Sequence, residues 1–184
     1  MLFSWKKYRI KERSRLNRNN ESLIEKLKIE GITDINILRA MRKVPRELFV
    51  EHQFIKQAYE NIPLPIDCKQ TISQPYVVAY MISCLNLKNT DKVLEIGTGT
   101  GYQTTILSRL CRDVYTIEIH SKLLNKARKR CKKLNLKNHG CLIMPQKKPS
   151  GNQKLLLIKK NNEAYLKKEL LSVKFVPLLN KHIE

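Results

Sequence analysis

Acidic residues are scarce in this chain. Its 184 residues hold 16 Asp and Glu against 36 Lys and Arg, a formal net charge of +20. Long apolar runs are missing too: none approaches the roughly 18 residues that a membrane span requires. No membrane partner is therefore expected. The first 18 residues scatter charges throughout and lack the hydrophobic stretch of a secretory leader. The five cysteines (Cys68, Cys84, Cys111, Cys131 and Cys141) are odd in number, far apart and without a Cys-x-x-Cys pair. That pattern argues against a disulfide framework or a zinc site and reads as reduced, mostly core thiols of a cytoplasmic protein. His52, His120, His139 and His182 form no ligand cluster, so no metal is expected. With 42% hydrophobic residues the composition is not that of a disordered chain. The length suits one domain with a small helical appendage.

The charge raises the question of nucleic acid. Lysine and asparagine are abundant along the whole chain, which fits a compositional bias as well as a binding surface. Two stretches are denser. Residues 1–18 carry seven basic residues and one acid, and residues 122–137 carry eight basic residues and none. In the second stretch Leu123, Ala127, Cys131 and Leu134 fall on one helical stripe, and Lys122, Lys126, Lys129 and Lys133 on another. A solvated helix covering a sheet has that pattern, so nucleic acid is expected to bind only non-specifically.

Residues 1–18 read as a basic arm, frayed or irregularly helical, ahead of one domain over 19–184. Its first part, 19–90, is helices and loops. Glu21–Glu30 has helical spacing and stops at Gly31, a natural C-cap. Asp34 can cap a second helix through Val44. Pro45 suits the start of a short helix to Val50, and Asn61–Ile66 is too rich in proline for anything but an extended loop. Pro75 can open a helix through Leu85. The second part, 91–138, alternates strand Lys92–Ile96, helix 103–110, strand Val114–Ile119 and helix 121–136, the beginning of a parallel α/β sheet. The third, 139–184, changes character: strand Cys141–Pro145 is followed by runs at 154–160, 163–170 and 173–178 that read as a β-meander.

Between the first strand and its helix lies Val93-Leu-Glu-Ile-Gly-Thr-Gly-Thr-Gly-Tyr-Gln-Thr104. Glycines at every second position let the backbone approach a nucleoside closely, and the helix behind them can face the ligand with its N-terminus. The third glycine is Gly101, with Tyr102 where a dinucleotide fingerprint has glycine. Glu-x-Gly-x-Gly-x-Gly is instead the usual look of an S-adenosylmethionine site. Glu118 stands 17 residues after Gly101, at the end of the second strand, where an acid can accept hydrogen bonds from both ribose hydroxyls. Glu95 sits inside a strand, where an unpaired carboxylate is costly. It is assigned to organising the glycine loop and the methionine end of the ligand. The expected cofactor-binding set is Glu95, Gly97, Thr98, Gly99, Gly101 and Glu118.

Four further segments occur in order around that loop: Val44-Pro-Arg-Glu-Leu-Phe-Val50, Tyr59-Glu-Asn-Ile-Pro-Leu-Pro-Ile66, Gln70-Thr-Ile-Ser-Gln-Pro-Tyr76 and Val173-Lys-Phe-Val-Pro-Leu178. Together with the glycine loop they resemble the protein-L-isoaspartate O-methyltransferases, over about residues 21–138 and 140–179. The resemblance implies a Rossmann-like methyltransferase fold. It also implies transfer of a methyl group from S-adenosyl-L-methionine to the side-chain carboxylate of isoaspartyl residues in damaged proteins and peptides. By the same resemblance Ser73 is the active-site residue, orienting the acceptor carboxylate, and Val173, Phe175, Val176 and Pro177 line the peptide cleft. Thr71 and Gln74 flank Ser73 as polar substrate contacts. An ordinary helix N-cap before Pro75 is the competing explanation of Ser73, as a plain core strand is for Val173–Leu178.

The chain departs from that family after the helix ending near Leu136. Four residues, Lys137–Gly140, stand where the family has two further βα units, roughly 40 residues at 30 or more per βαβ unit. The adenine-side acid and the strand beside Lys92–Ile96 go with them. Cys141–Pro145 is left to join the sheet beside either existing strand. Three readings follow: a repair methyltransferase, a non-catalytic remnant of one, and a basic methyltransferase acting on RNA. The third lacks the Asn/Asp-Pro-Pro-Tyr-like motif of amino-group methylation. If the charge is compositional, RNA affinity falls steeply and linearly in logarithmic salt. Deleting residues 1–18 lowers it without changing cofactor affinity. Sequence-selective RNA binding at physiological salt in a filter-binding titration would favour the RNA enzyme instead.

Overall fold

The computed structural model describes residues 2–134, 141–147, 153–161 and 164–173, with side chains over 13–134. Helix α1 (Leu2–Ile29) takes the basic arm and the predicted helix after it into one 28-residue element. It buries Leu16, Leu23, Ile24 and Leu27. Its end is closed as the glycine predicts. Gly31, at φ +98°, donates its N–H to the Lys28 carbonyl at 3.0 Å, and Ile32 donates to Leu27 at 2.9 Å. These paired bonds satisfy two of the carbonyls a helix end leaves open, and the buried Ile32 seals the turn. Helix α2 (Ile35–Lys43) starts at Asp34, whose carboxylate accepts from the N–H groups of Asn36 at 2.7 Å and Ile37 at 3.4 Å.

Short 3₁₀ turns at Arg46–Leu48 and His52–Gln57 follow. The proline-rich segment is more ordered than an extended loop: β1 (Leu64–Pro65) pairs antiparallel with β2 (Thr71–Ile72), Leu64 opposite Ile72. Helix α3 (Pro75–Cys84) begins at its proline. Next come β3 (Lys92–Ile96), α4 (Tyr102–Leu107), β4 (Asp113–Ile117), α5 (Ser121–Lys133), β5 (Cys141–Lys147), β6 (Gln153–Asn161) and β7 (Ala164–Val173). Among the described residues no helix is long and apolar enough to cross a membrane.

The five long strands form one sheet in the order β3-β4-β5-β6-β7. Strands β3, β4 and β5 run parallel, and β6 and β7 continue antiparallel from β5. Strand β5 joins beside β4, with Tyr115 opposite Cys141, and leaves β3 at the edge among the described residues. Val173 ends β7 opposite Gln153. The rest of the expected strand 173–178, with Phe175, Val176 and Pro177, lies outside the described residues.

This order decides which sheet face is covered. Two successive right-handed crossovers that advance in one direction place both connecting helices on the same face. Accordingly Glu95, Val114 and Thr116, which share a face in the β3–β4 register, are buried. Leu94 and Ile96, on the other face, are 59% and 76% exposed. The core lies between that covered face and the helices, through Ile106, Leu107, Leu123, Ile82 and Met41 to α1. The Asp34→Ala variant should lose about 1 kcal/mol, read as a lower urea midpoint with an unchanged slope.

Candidate functional site

The glycine loop leaves the C-terminal end of β3 and re-enters the fold as α4. Gly97, Gly99 and Gly101 have φ of +91°, +54° and +85°, the left-handed region that side chains rarely adopt. A Cβ on Gly97 would meet nothing within 4 Å, so the loop is open there, whereas one on Gly101 would lie 3.3 Å from the Ala127 Cβ of α5. The first two glycines therefore serve the loop's opening, and the third serves the close approach of α4 to α5. Tyr102 is buried against Phe49, their rings 5.4 Å apart and 62° inclined.

Glu95 anchors both ends of this loop. Its carboxylate accepts hydrogen bonds from the hydroxyls of Thr104 on α4 and Thr116 on β4, the latter at 2.7 Å. The Thr98 and Thr116 hydroxyl oxygens are 2.7 Å apart, and with Thr116 donating to Glu95 the Thr98 hydroxyl donates to Thr116. The expected cofactor residue Thr98 thus turns its hydroxyl into the interior. Thr104 and Thr116 are the residues that sequence reasoning missed. The available signal was Thr116 on the inward face of β4, in register with Glu95. Burial pushes the Glu95 carboxyl up to about 7. Hydrogen bonds from Thr104, Thr116 and Gln103 oppose the rise, and the charge of Glu118 adds to it.

Glu118 follows β4 directly and is buried beside the loop. One carboxylate oxygen accepts from the Gly99 N–H at 2.7 Å and the other from the His120 N–H at 2.8 Å. The β1–β2 hairpin sits over the same loop, its Ile66 Cδ1 3.9 Å from a Cβ placed on Gly99. Asp67 in that hairpin pairs with Lys122 at 2.6 Å and with Lys126, which also reaches Glu51 at 3.0 Å. Both lysines hold the Asp67 carboxyl below its usual range. Half of the stripe expected to be solvated thus docks the hairpin.

Ser73 lies between β2 and α3 and is exposed. Gln74 occupies the N-cap of α3 without a side-chain hydrogen bond, so Ser73 does not cap the helix. Thr71 is exposed, opposite Pro65, and Gln74 is half-buried. Ser73 and Gly99 are thus joined through one hairpin. Of the cysteines, Cys111 is buried, Cys68 and Cys131 are half-buried and Cys84 is exposed, which departs from a mostly core set. Among the described residues no group of three or more His, Cys, Asp or Glu could hold a metal ion.

The model of the family described as protein-L-isoaspartate(D-aspartate) O-methyltransferase matches residues 17–139. The chain belongs to that family. The family transfers a methyl group from S-adenosylmethionine to isoaspartyl carboxylates, the activity that the sequence motifs pointed to. The chain is 40% identical to the protein-L-isoaspartate O-methyltransferase of Parvibaculum lavamentivorans over 199 residues, 85% of this chain and 90% of the relative. With that of Dictyoglomus turgidum it shares 53% over 118 residues, 64% of this chain and 54% of the relative. A solved protein-L-isoaspartate O-methyltransferase superposes with a TM-score of 0.59 at 25% identity, covering 85% of this chain and 65% of the other. The fold is also shared with the putative Plasmodium falciparum enzyme in complex with S-adenosyl-L-homocysteine, at a TM-score of 0.57 and 22% identity, covering 85% and 96%.

The raised pKa of Glu95 has a sign that can be tested. Folded protein holds this proton more tightly than unfolded chain, so stability falls as pH rises from about 4.5 to 7. The Glu95→Gln variant should flatten that fall, gaining on the parent by up to about 3 kcal/mol between pH 5 and pH 8. Urea unfolding at both pH values measures it, and an unchanged difference would contradict the assignment.

Proposed function

We propose that Gly97, Gly99 and Glu118 hold S-adenosyl-L-methionine, and that Ser73 orients the isoaspartyl carboxylate that receives its methyl group. Glu118 is the observation that carries the reading. Two backbone N–H groups fix its carboxylate beside an open glycine loop, and each oxygen keeps acceptor capacity for a ribose hydroxyl. The space over Gly97, which a side chain would fill, fits the same ligand. The cofactor supplies a methyl group on a sulfonium to an acceptor already charged at pH 7. The protein's task is therefore alignment and exclusion of water. The Ser73 hydroxyl, with no partner among the described residues, is free to donate to that carboxylate. Glu95 acts one layer behind, holding the loop, with Thr98 as part of its support.

The same reading includes the loss of two βα units. Support comes from the alignment with the Parvibaculum relative. It spreads 85% of this 184-residue chain over 199 positions, so roughly 40 positions face no residue here, the size of the missing units at 30 or more residues per βαβ. The edge position of β3 and the exposure of Leu94 and Ile96 agree with it. Ligands of open α/β sheets sit where the strand order reverses, and the described order runs one way. One wall of the cofactor site and its adenine-side acid are thus absent from the proposed site. Losing one or two such contacts at about 1–3 kcal/mol each weakens affinity from about fivefold to roughly ten-thousandfold. That weakening keeps a second reading open, a remnant that binds cofactor poorly and does not turn over. The chain is taken as a cytoplasmic monomer, with nucleic acid held only non-specifically.

Calorimetric titration with S-adenosyl-L-homocysteine tests the cofactor half. Binding weaker than that of a full-length relative is expected, with a further loss in Glu118→Ala, and equal affinity would refute it. For the acceptor half, isoaspartyl peptides should be methylated and their aspartyl counterparts ignored. Ser73→Ala should slow the reaction and leave cofactor affinity nearly unchanged. A well-folded chain with no turnover would decide for the remnant.

A further inference from the structure

Arg46 is a charged side chain in the interior that the proposed chemistry does not use. It is fully buried. Among the described residues no carboxylate pairs with it: the neighbouring Glu47 instead accepts from the Tyr59 hydroxyl. Its guanidinium donates to three backbone carbonyls, through Nη1 to Ala58 at 2.6 Å and through Nη2 to Ile62 at 3.2 Å and Ser73 at 3.1 Å. Its charge also faces the Tyr102 ring, 5.7 Å from the ring centre. These partners come from separate parts of the chain. Ala58 closes a 3₁₀ turn, Ile62 lies in the proline-rich loop, Ser73 carries the acceptor-side hydroxyl and Tyr102 is the first residue after the glycine loop.

A buried cation is expensive, and a fork of rigid donors suits a site where several carbonyls must be held at fixed angles. From this geometry we infer that Arg46 is a positioning residue for methyl transfer. It sets the place of Ser73 relative to the glycine loop by gripping the Ser73 carbonyl while its charge rests on Tyr102. The β1–β2 pairing ends at Ile72, and beyond it Arg46 holds the Ser73 carbonyl while the Asn61 side chain accepts from the Tyr76 N–H at 2.9 Å. The inference rests on the reading of Ser73 as the acceptor-side residue. Alignment makes most of this rate, and a misplacement of about 1 Å can cost about a hundredfold.

Two variants test it in the full chain: Arg46→Lys, which keeps a charge without the fork, and Arg46→Gln, which keeps a planar donor without the charge. In whichever folds, kcat for an isoaspartyl peptide should fall tenfold to a hundredfold. S-adenosyl-L-homocysteine affinity and peptide KM should stay within about threefold of the parent. In the Ser73→Ala background the same substitution should cost little more, because its effect runs through that hydroxyl. Independent, multiplying losses in the double variant, or an unchanged kcat, would overturn the proposal. Failure of both variants to fold would likewise reduce Arg46 to a structural residue. If the parent chain does not turn over, the acceptor reading fails by itself, and amide hydrogen exchange reads the link directly. Faster exchange in both 70–76 and 97–102 in the variant supports it. A change confined to 58–62 overturns it.

Discussion

One buried carboxylate holds the functional end of this molecule together. Glu95 sits on a strand whose next residue, Ile96, is largely exposed, yet its own side chain points into the covered face and accepts from Thr104 and Thr116. Those hydroxyls belong to the helix that follows the glycine loop and to the neighbouring strand. The loop therefore runs between two points that are tied to a single group. Taking a carboxylate out of water is costly, and hydrogen bonds to a charged group return about 1.5–3 kcal/mol each. The balance leaves a proton on offer near neutral pH and a loop whose backbone has little freedom left. Everything downstream, from the Gly99 N–H held by Glu118 to the close approach of Gly101 to Ala127, depends on that loop being where it is.

The elements governed by local chemistry were legible in the sequence. Strand Lys92–Ile96 has the predicted ends, because an apolar run is cut by glycines that need left-handed backbone. Asp34, Gly31 and Pro75 mark their helix boundaries for similar reasons of capping and φ. The glycine loop, Glu118 and the Gln70–Tyr76 segment were found by pattern and are brought to one end of the fold. The rest was hidden because it depends on distant partners. Nothing local says that Lys122 and Lys126 meet Asp67, more than fifty residues earlier, and a lysine stripe on an amphipathic helix ordinarily faces water. An arginine inside a short motif gives no sign that it will be fully buried. Periodicity identified Cys141–Pro145 as a strand but carries no information on its neighbour, which backbone pairing alone decides.

Family membership and architecture place different demands on this chain. The glycine loop, Glu118 and the Gln70–Tyr76 segment all lie within the first 134 residues, where helices cover one sheet face. Among the described residues the strands after them extend the sheet away from the loop, through β5 to β7. Chemistry that depends on alignment is sensitive to how the sheet around it is built as well as to which residues are present. A matching set of side chains and a complete enclosure are separate requirements.

The uncovered strand has a consequence for the molecule in solution. Among the described residues this edge shows unpaired backbone together with Leu94 and Ile96, a template on which another chain can add. The countermeasure is electrostatic: two copies bearing a net charge of +20 repel one another before their edges meet. That repulsion is screened over a Debye length of about 8 Å at physiological ionic strength, while the attraction between apolar edges is not. Salt therefore shifts the balance between these two forces toward association. The lysine surplus thus opposes self-association most strongly where ionic strength is lowest.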